Sequence, residues 1–261
     1  MSVMGIAKMA WVAAREGGRL AGDALGDLTG SSMRFRAGDV ATPQELSRLI
    51  NAGTLQPDRE PVVISAVRCQ PVPSVSSNCH NLVLSIEQAG ERTLPHSLFV
   101  KLPMESLVTR WFFSIINVWR LESYFFRHVA RTLPLRTPLT YATRCQGTRF
   151  YLVQENLRDD PSVELFTNPD MMAGPSLSLV YRCLDTFARL HALHYGLNAQ
   201  EREKILPLRY HLFLSADMGS MSRMLNRLAL NPCRKKQPGV IPEGVAQDYQ
   251  LTVENWDALL Q

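Results

Sequence analysis

The stretch SLFVKLP, residues 97–103, is the place from which the chain is best read. Leu98, Val100 and Leu102 alternate with Phe99 and Lys101, the period-two pattern of a strand with one aliphatic face and one face that pairs an aromatic ring with a cation. Pro103 stops it, because proline cannot donate to a sheet ladder. A lysine in that position has two readings. Either the strand lies at a sheet edge and the ammonium snorkels into water, or the ammonium answers a carboxylate on another element.

Working outward, VVISAVRCQPV (62–72) and NLVLSIEQ (81–88) also read as strands. PSVSSNCH and AGERTLPH separate the three, and connections that short suit an antiparallel meander rather than parallel strands with helical crossovers. Before them, TPQEL offers Thr42 as an N-cap, Pro43 at the first helical position and Glu45 to close a capping box. That helix is expected to end at NAG, with Gly53 in the left-handed position.

After the third strand, WFFSIINVWRLESYFFRHVARTL (111–133) spaces Phe112, Ile115, Ile116, Trp119, Phe126 and Val129 for one face of a continuous helix, with no proline or glycine inside it. At 100° per residue Glu122 falls near the centre of that apolar stripe. A buried, unpaired carboxylate would cost several kcal/mol, so either the rim is open there or a cation meets it. Lys101 is the natural candidate. A strand lysine held by a helix glutamate is how kinase-type folds neutralise nucleotide phosphates. Two later segments extend the pattern. FYLVQ (150–154) reads as a strand running into the connector Glu155–Asn156, and SLSLVYRCLDTFARLHALHYG (176–196) as a long helix with Leu177, Val180, Leu184, Phe187 and His191 on one stripe, ended by Gly196.

TPQEL, FVKLP, RLESYFFRHVA, YLVQENL and FARLHALHYG, in this order, resemble the aminoglycoside phosphotransferase and choline kinase superfamily, in particular its ecdysteroid-kinase-like branch, from about Thr42 onward. The resemblance implies an α+β, protein-kinase-like fold of two lobes: an N-terminal extension, partly helical, over 1–40, an antiparallel-sheet N-lobe with hinge over 41–155, and an incomplete helical C-lobe over 156–261. It implies transfer of the ATP γ-phosphate, with Mg²⁺, to a hydroxyl of an unidentified small molecule. Lys101 would bind phosphate and Glu122 would orient it, Ser76, Ser77 and Asn78 would cover the phosphates, and Gln154, Glu155, Asn156 and Leu157 would line the adenine site.

The sequence departs from that pattern twice. The covering turn PSVSSNCHN has no glycine to let backbone amides approach phosphate, and an ordinary polar hairpin explains it equally well. The family's catalytic loop carries histidine, one residue, then aspartate. None of His80, His96, His128, His191, His194 and His211 is followed so. Asp217 in ADMGS imitates a metal-binding D-x-G but reads as a turn aspartate. The expectation is a chain that stops before its catalytic loop and is inactive as it stands; the alternative is a pseudokinase or fragment serving as a nucleotide-binding or protein-interaction module, associating through an apolar C-lobe surface left uncovered.

Composition is consistent with a globular chain and narrows the rest. The 261 residues are 46% hydrophobic, and 28 basic against 24 acidic residues leave +4, too small an excess to imply nucleic acid. Cys69, Cys79, Cys145, Cys183 and Cys233 are odd in number with no C-x-x-C pair, which reads as reduced thiols in the cytoplasm. No run of eighteen apolar residues predicts a membrane span, and Glu16, Asp23 and Asp27 argue against a mitochondrial leader in the amphipathic segment 1–28. His191 and His194 lack a third metal ligand nearby, and no G-x-S-x-G elbow marks a hydrolase.

Overall fold

A computed structural model describes residues 3–31, 33, 35–56, 58–72, 79–91, 93–166, 174–207, 235 and 242–255. The architecture is α+β, built on a five-stranded antiparallel sheet. In chain order the elements are helices α1 (Val3–Thr29), α2 (Ala37–Val40) and α3 (Pro43–Ala52), strands β1 (Ile64–Val72), β2 (Cys79–Gln88) and β3 (Ser97–Pro103), helices α4 (Leu107–Ile115) and α5 (Val118–Tyr124), and strands β4 (Thr140–Gln146) and β5 (Arg149–Glu155). Helices α6 (Leu177–His194), α7 (Ala199–Ile205) and α8 (Glu243–Glu254) follow. None of the helices among the described residues is long and apolar enough to cross a membrane.

The strand order β1-β2-β3-β5-β4 puts β3 in the middle of the sheet, bonded to β2 on one side and β5 on the other. Lys101 is therefore on a central strand, and the edge-strand reading fails. The alternation seen in the sequence now has a physical meaning. Leu98, Val100 and Leu102 face a core with Leu46, Leu49 and Ile50 of α3, Leu82 and Leu84 of β2, and Tyr151 and Val153 of β5. Burying each such side chain stabilises the fold by about 1.5–3 kcal/mol. The opposite face of the sheet carries Phe150 and Leu152, which pack with Cys79 under Trp119 of α5.

Helix α3 forms where TPQEL predicts it, with Pro43 in its first turn, but the capping box does not. Thr42 instead donates its hydroxyl to the Asp39 carbonyl at 2.9 Å, and Glu45 turns outward to Arg48. The helix is fastened to the start of β1 by side chains: Ser47 accepts from the Ile64 amide at 2.8 Å, and Asn51 accepts from the Val62 amide at 2.8 Å. These bonds satisfy backbone groups at a sheet edge that would otherwise stand open.

The segment 111–133 is not one helix. It breaks at Asn117, whose φ of 62° is left-handed, a conformation asparagine tolerates better than most residues. Beyond α5 the chain passes through a π-helical turn (Phe125–Val129) and a 3-10 turn (Ala130–Thr132). The break separates two tasks. Helix α4 packs against α1, where the Trp111 indole donates to the Ala13 carbonyl at 3.0 Å, while α5 presents Trp119 and Ser123 to the sheet.

Strand β4 was not anticipated from the sequence. TYATRCQ has the right β-branched and aromatic residues, and Gly147, at φ 60°, makes the tight turn to β5. Helix α1 is held against that turn: Asp23 accepts from the Thr148 amide at 2.8 Å, and both arms of the buried Arg149 guanidinium reach Asp27.

Candidate functional site

Lys101 and Glu122 meet: the lysine Nζ donates to the Glu122 Oε1. Their side chains are 24% and 19% exposed, so the pair is partly shielded yet open on one side. Register places Lys101 between Asn81 of β2 and Leu152 of β5, and α5 brings Glu122 over it. The helix is fixed by Trp119, stacked on Phe150 at 6.3 Å with planes 4° apart, and by Ser123, which accepts from the Thr143 hydroxyl at 3.0 Å. Glu122 is thus carried by a helix whose position the sheet dictates.

Two neighbours of the pair escaped the sequence reading. The Asn81 Oδ1 is buried with no hydrogen-bond partner; only the register of β2 on β3 reveals that it flanks Lys101, and register is not legible from one strand alone. Cys79 lies on the same flank, two residues before Asn81 on β2, and burial pushes its thiol up to about 11, with Lys101 pulling it the other way. Burial also lifts the Cys145 thiol to about 11. A raised thiol pKa means less thiolate at a given pH. Alkylation of the folded protein at pH 8 should therefore modify exposed Cys183 while sparing Cys79 and Cys145, which react once denaturant is added. Peptide mapping checks this, and early modification of Cys79 would show that the shielding is absent.

The side chains of the connector after β5 are tied to neighbouring elements. The Gln154 side chain is buried and donates to the Thr140 hydroxyl at 3.0 Å. Glu155 accepts from the Leu139 amide at 2.8 Å and pairs with Arg136 at 3.5 Å. Asn156 donates to the Ser97 hydroxyl at 2.9 Å and to Asp159 at 3.1 Å. All three side chains brace the connector, so what they leave to a ligand is backbone. Leu157 begins a single 3-10 turn and is half-buried. Arg136 also binds Asp160 at 2.6 Å; bonds from the Ser162 hydroxyl and amide, joined by Arg136, hold the Asp160 carboxyl down at about 2.

Ser76, Ser77 and Asn78, and Asp217, lie outside the described residues. His194 turns its Nδ1 to the Leu190 carbonyl of its own helix at 3.0 Å. Among the described residues no three His, Cys, Asp or Glu side chains gather as a metal site would require. The apolar stripe of α6 is in solvent, with Leu177 67%, Leu184 57% and Phe187 57% exposed.

No protein family, curated protein or solved structure matches the chain.

Proposed function

We propose that the chain is a nucleotide-binding module of the small-molecule phosphotransferase kind, with a kinase-like sheet lobe joined through residues 154–157 to helices, and that it binds ATP without transferring its phosphate. The observation that carries this reading is the Lys101–Glu122 ion pair between the third strand and the helical segment that follows it. A bare lysine on a central strand would be an expense to the fold; a lysine held by a glutamate and open on one side is a cation prepared for an anion. ATP would supply the phosphates. Lys101 would neutralise them, Glu122 would keep the ammonium aimed, and the connector backbone would face the base. Mg²⁺ would be carried mainly by the nucleotide's own oxygens, since no ligand cluster gathers among the described residues. No histidine in the 261 residues is followed two positions later by aspartate, so the acceptor-orienting carboxylate of the resembled pattern is missing from them.

The test is titration of the purified chain with Mg²⁺-ATP by calorimetry, beside Lys101→Ala and Glu122→Gln. A charge-assisted bond to phosphate contributes about 1.5–3 kcal/mol, so Lys101→Ala should weaken binding roughly ten- to hundredfold, and Glu122→Gln by less. Equal affinity for the variant, or no saturable binding by the wild type, overturns the nucleotide reading. Turnover of γ-labelled ATP on a panel of hydroxylated small molecules that disappears in Lys101→Ala would overturn the binding-only part. The second reading, a protein-interaction module, is favoured by the exposed stripe of α6.

A further inference from the structure

Arg110, the fourth residue of α4, is 3% exposed, and among the described residues nothing bonds its Nε or its Nη1, both of which are buried. Its guanidinium lies over the Phe35 ring at 4.6 Å, and that of Arg149 lies over the same ring at 4.8 Å. The Arg149 Nε is also buried without a hydrogen-bond partner, with the Asp23 Oδ2 3.9 Å away. Burial, and next the like charge of Arg149, pull the Arg110 guanidinium below its ordinary range; Asp23 and Asp27 act against them, and Arg36 adds to them. Both aspartates are already engaged, Asp23 by the Thr148 amide and hydroxyl and Asp27 by both arms of Arg149. Arg36 is 64% exposed and meets Glu105 only at 3.9 Å. An arginine keeps its proton inside a protein, so the cost of this buried charge has to be offset by an acceptor. The Phe35 face attracts the cation but accepts none of its hydrogen bonds in the plane of the guanidinium.

We propose that Arg110, with Arg149 and Arg36, binds a small tetrahedral oxyanion of the phosphate or sulfate kind. Three buried N–H groups on two guanidiniums beside one ring are donors in want of acceptors, and one anion would satisfy them while cancelling the repulsion between the two cations. The three arginines come from α4, β5 and the segment before α2, so their donors approach from different directions. That suits oxygens spread in three dimensions better than a flat carboxylate, which the parallel donors of a single arginine satisfy. The exposed Arg36 marks the side from which the anion would enter. The site shares no residue with the Lys101–Glu122 pair and does not rest on the nucleotide reading.

Equilibrium dialysis of the full chain against labelled inorganic phosphate, with ionic strength held constant by chloride, should show saturable binding. Methionine replaces the arginine stem without its charge, so Arg110→Met should lower phosphate affinity roughly tenfold or more, the share of a charge-assisted bond. Lys101→Ala should bind phosphate at this site as the wild type does. Thermal melts separate a ligand site from a structural role. Without phosphate Arg110→Met should melt no lower than the wild type, because it removes a buried, unpaired charge; with phosphate only the chain that keeps Arg110 should gain. Arg36→Ala should weaken phosphate binding and leave the phosphate-free melt unchanged, since its exposed contact with Glu105 contributes little. Sulfate should compete with phosphate. No saturable binding, binding undiminished in Arg110→Met, binding lost in Lys101→Ala, acetate competing as well as sulfate, or an Arg110→Met chain that melts well below the wild type or fails to fold without phosphate would each overturn the proposal.

Discussion

Arg149→Leu is expected to destabilise the fold by about 3 kcal/mol, the lower part of the range for breaking a buried ion pair. The arginine side chain is 1% exposed and stands between α1, the segment before α2, and β5. Its guanidinium holds Asp27 with both arms, donates to the Met33 carbonyl at 2.8 Å and to the Asp23 carbonyl at 3.1 Å, and lies over the Phe35 ring at 4.8 Å. Leucine would keep the apolar contact and lose every bond. The Met33 carbonyl would then be left in a buried setting, whereas Asp27, 44% exposed, could turn to water, which is why the loss stays near the lower limit. In a chain of this size the melting temperature should fall by roughly 6–12 °C. The pH dependence should change as well. Arg149 holds the Asp27 carboxyl below its ordinary value of 3.8. A depressed carboxylate contributes stability that is present above the unfolded pKa and disappears as pH falls through the folded one. The gap between wild type and variant should accordingly narrow as pH is lowered below about 3.8. Denaturant melts across that range decide the matter, and a variant as stable as the wild type at neutral pH would remove Arg149 from its assigned place.

Gly53→Ala should cost about 2–4 kcal/mol, from overpacking together with a disturbed buried hydrogen bond. A β-carbon at residue 53 would stand 2.3 Å from the Tyr151 Oη and 3.0 Å from two of its ring carbons. Tyr151 cannot withdraw, because it is fully buried and its hydroxyl donates to the Leu49 carbonyl at 2.7 Å. The glycine is therefore required by its neighbour and not by its backbone, whose φ of −113° and ψ of 10° any residue can adopt. Adding Tyr151→Phe removes the closest atom, so the double variant should be more stable than the sum of the single losses predicts. Strict additivity would show that the contact is not the cause.

That glycine illustrates which parts of the molecule could be read in advance. Its place at the end of α3 was legible, because proline, glutamate and an apolar spacing mark the helix; its reason was not, because the ring it avoids lies about a hundred residues away in β5. The three meander strands, β5, α6 and the pairing of Lys101 with Glu122 all rest on period and burial, which are local, and the structure agrees with them. What stayed hidden depends on register or on distant partners. Asn81 beside Lys101 follows from how β2 sits on β3. The Asn117 break follows from α4 and α5 packing on different bodies, and nothing in WFFSIINVWRLESYFF forbids a continuous helix. The connector was legible as a segment whose backbone could meet a ligand, but not the partners of its side chains, Thr140, Leu139 and Ser97, which lie on distant parts of the chain. Arg149 was passed over because a single arginine in an apolar strand looks the same whether it faces water or two aspartates.

The attachment of α1 also imposes a timetable on synthesis. The bond from Arg149 to Asp27 spans 122 residues and those from Thr148 to Asp23 span 125. Asp23 and Asp27 of α1 thus wait for β5, the last of the sheet's five strands in chain order, roughly 6–25 s at ordinary elongation rates of 5–20 residues per second. For that interval the Arg149 guanidinium that Asp27 will hold has not been made, although Glu16 already has Arg15 and Arg19 beside it, and both faces of the helix are open to whatever else is nascent nearby. Slowing translation between β3 and β5 should therefore increase capture of the chain by holdase chaperones, and a chain in which Asp23 and Asp27 have been replaced should show the same capture at ordinary speed.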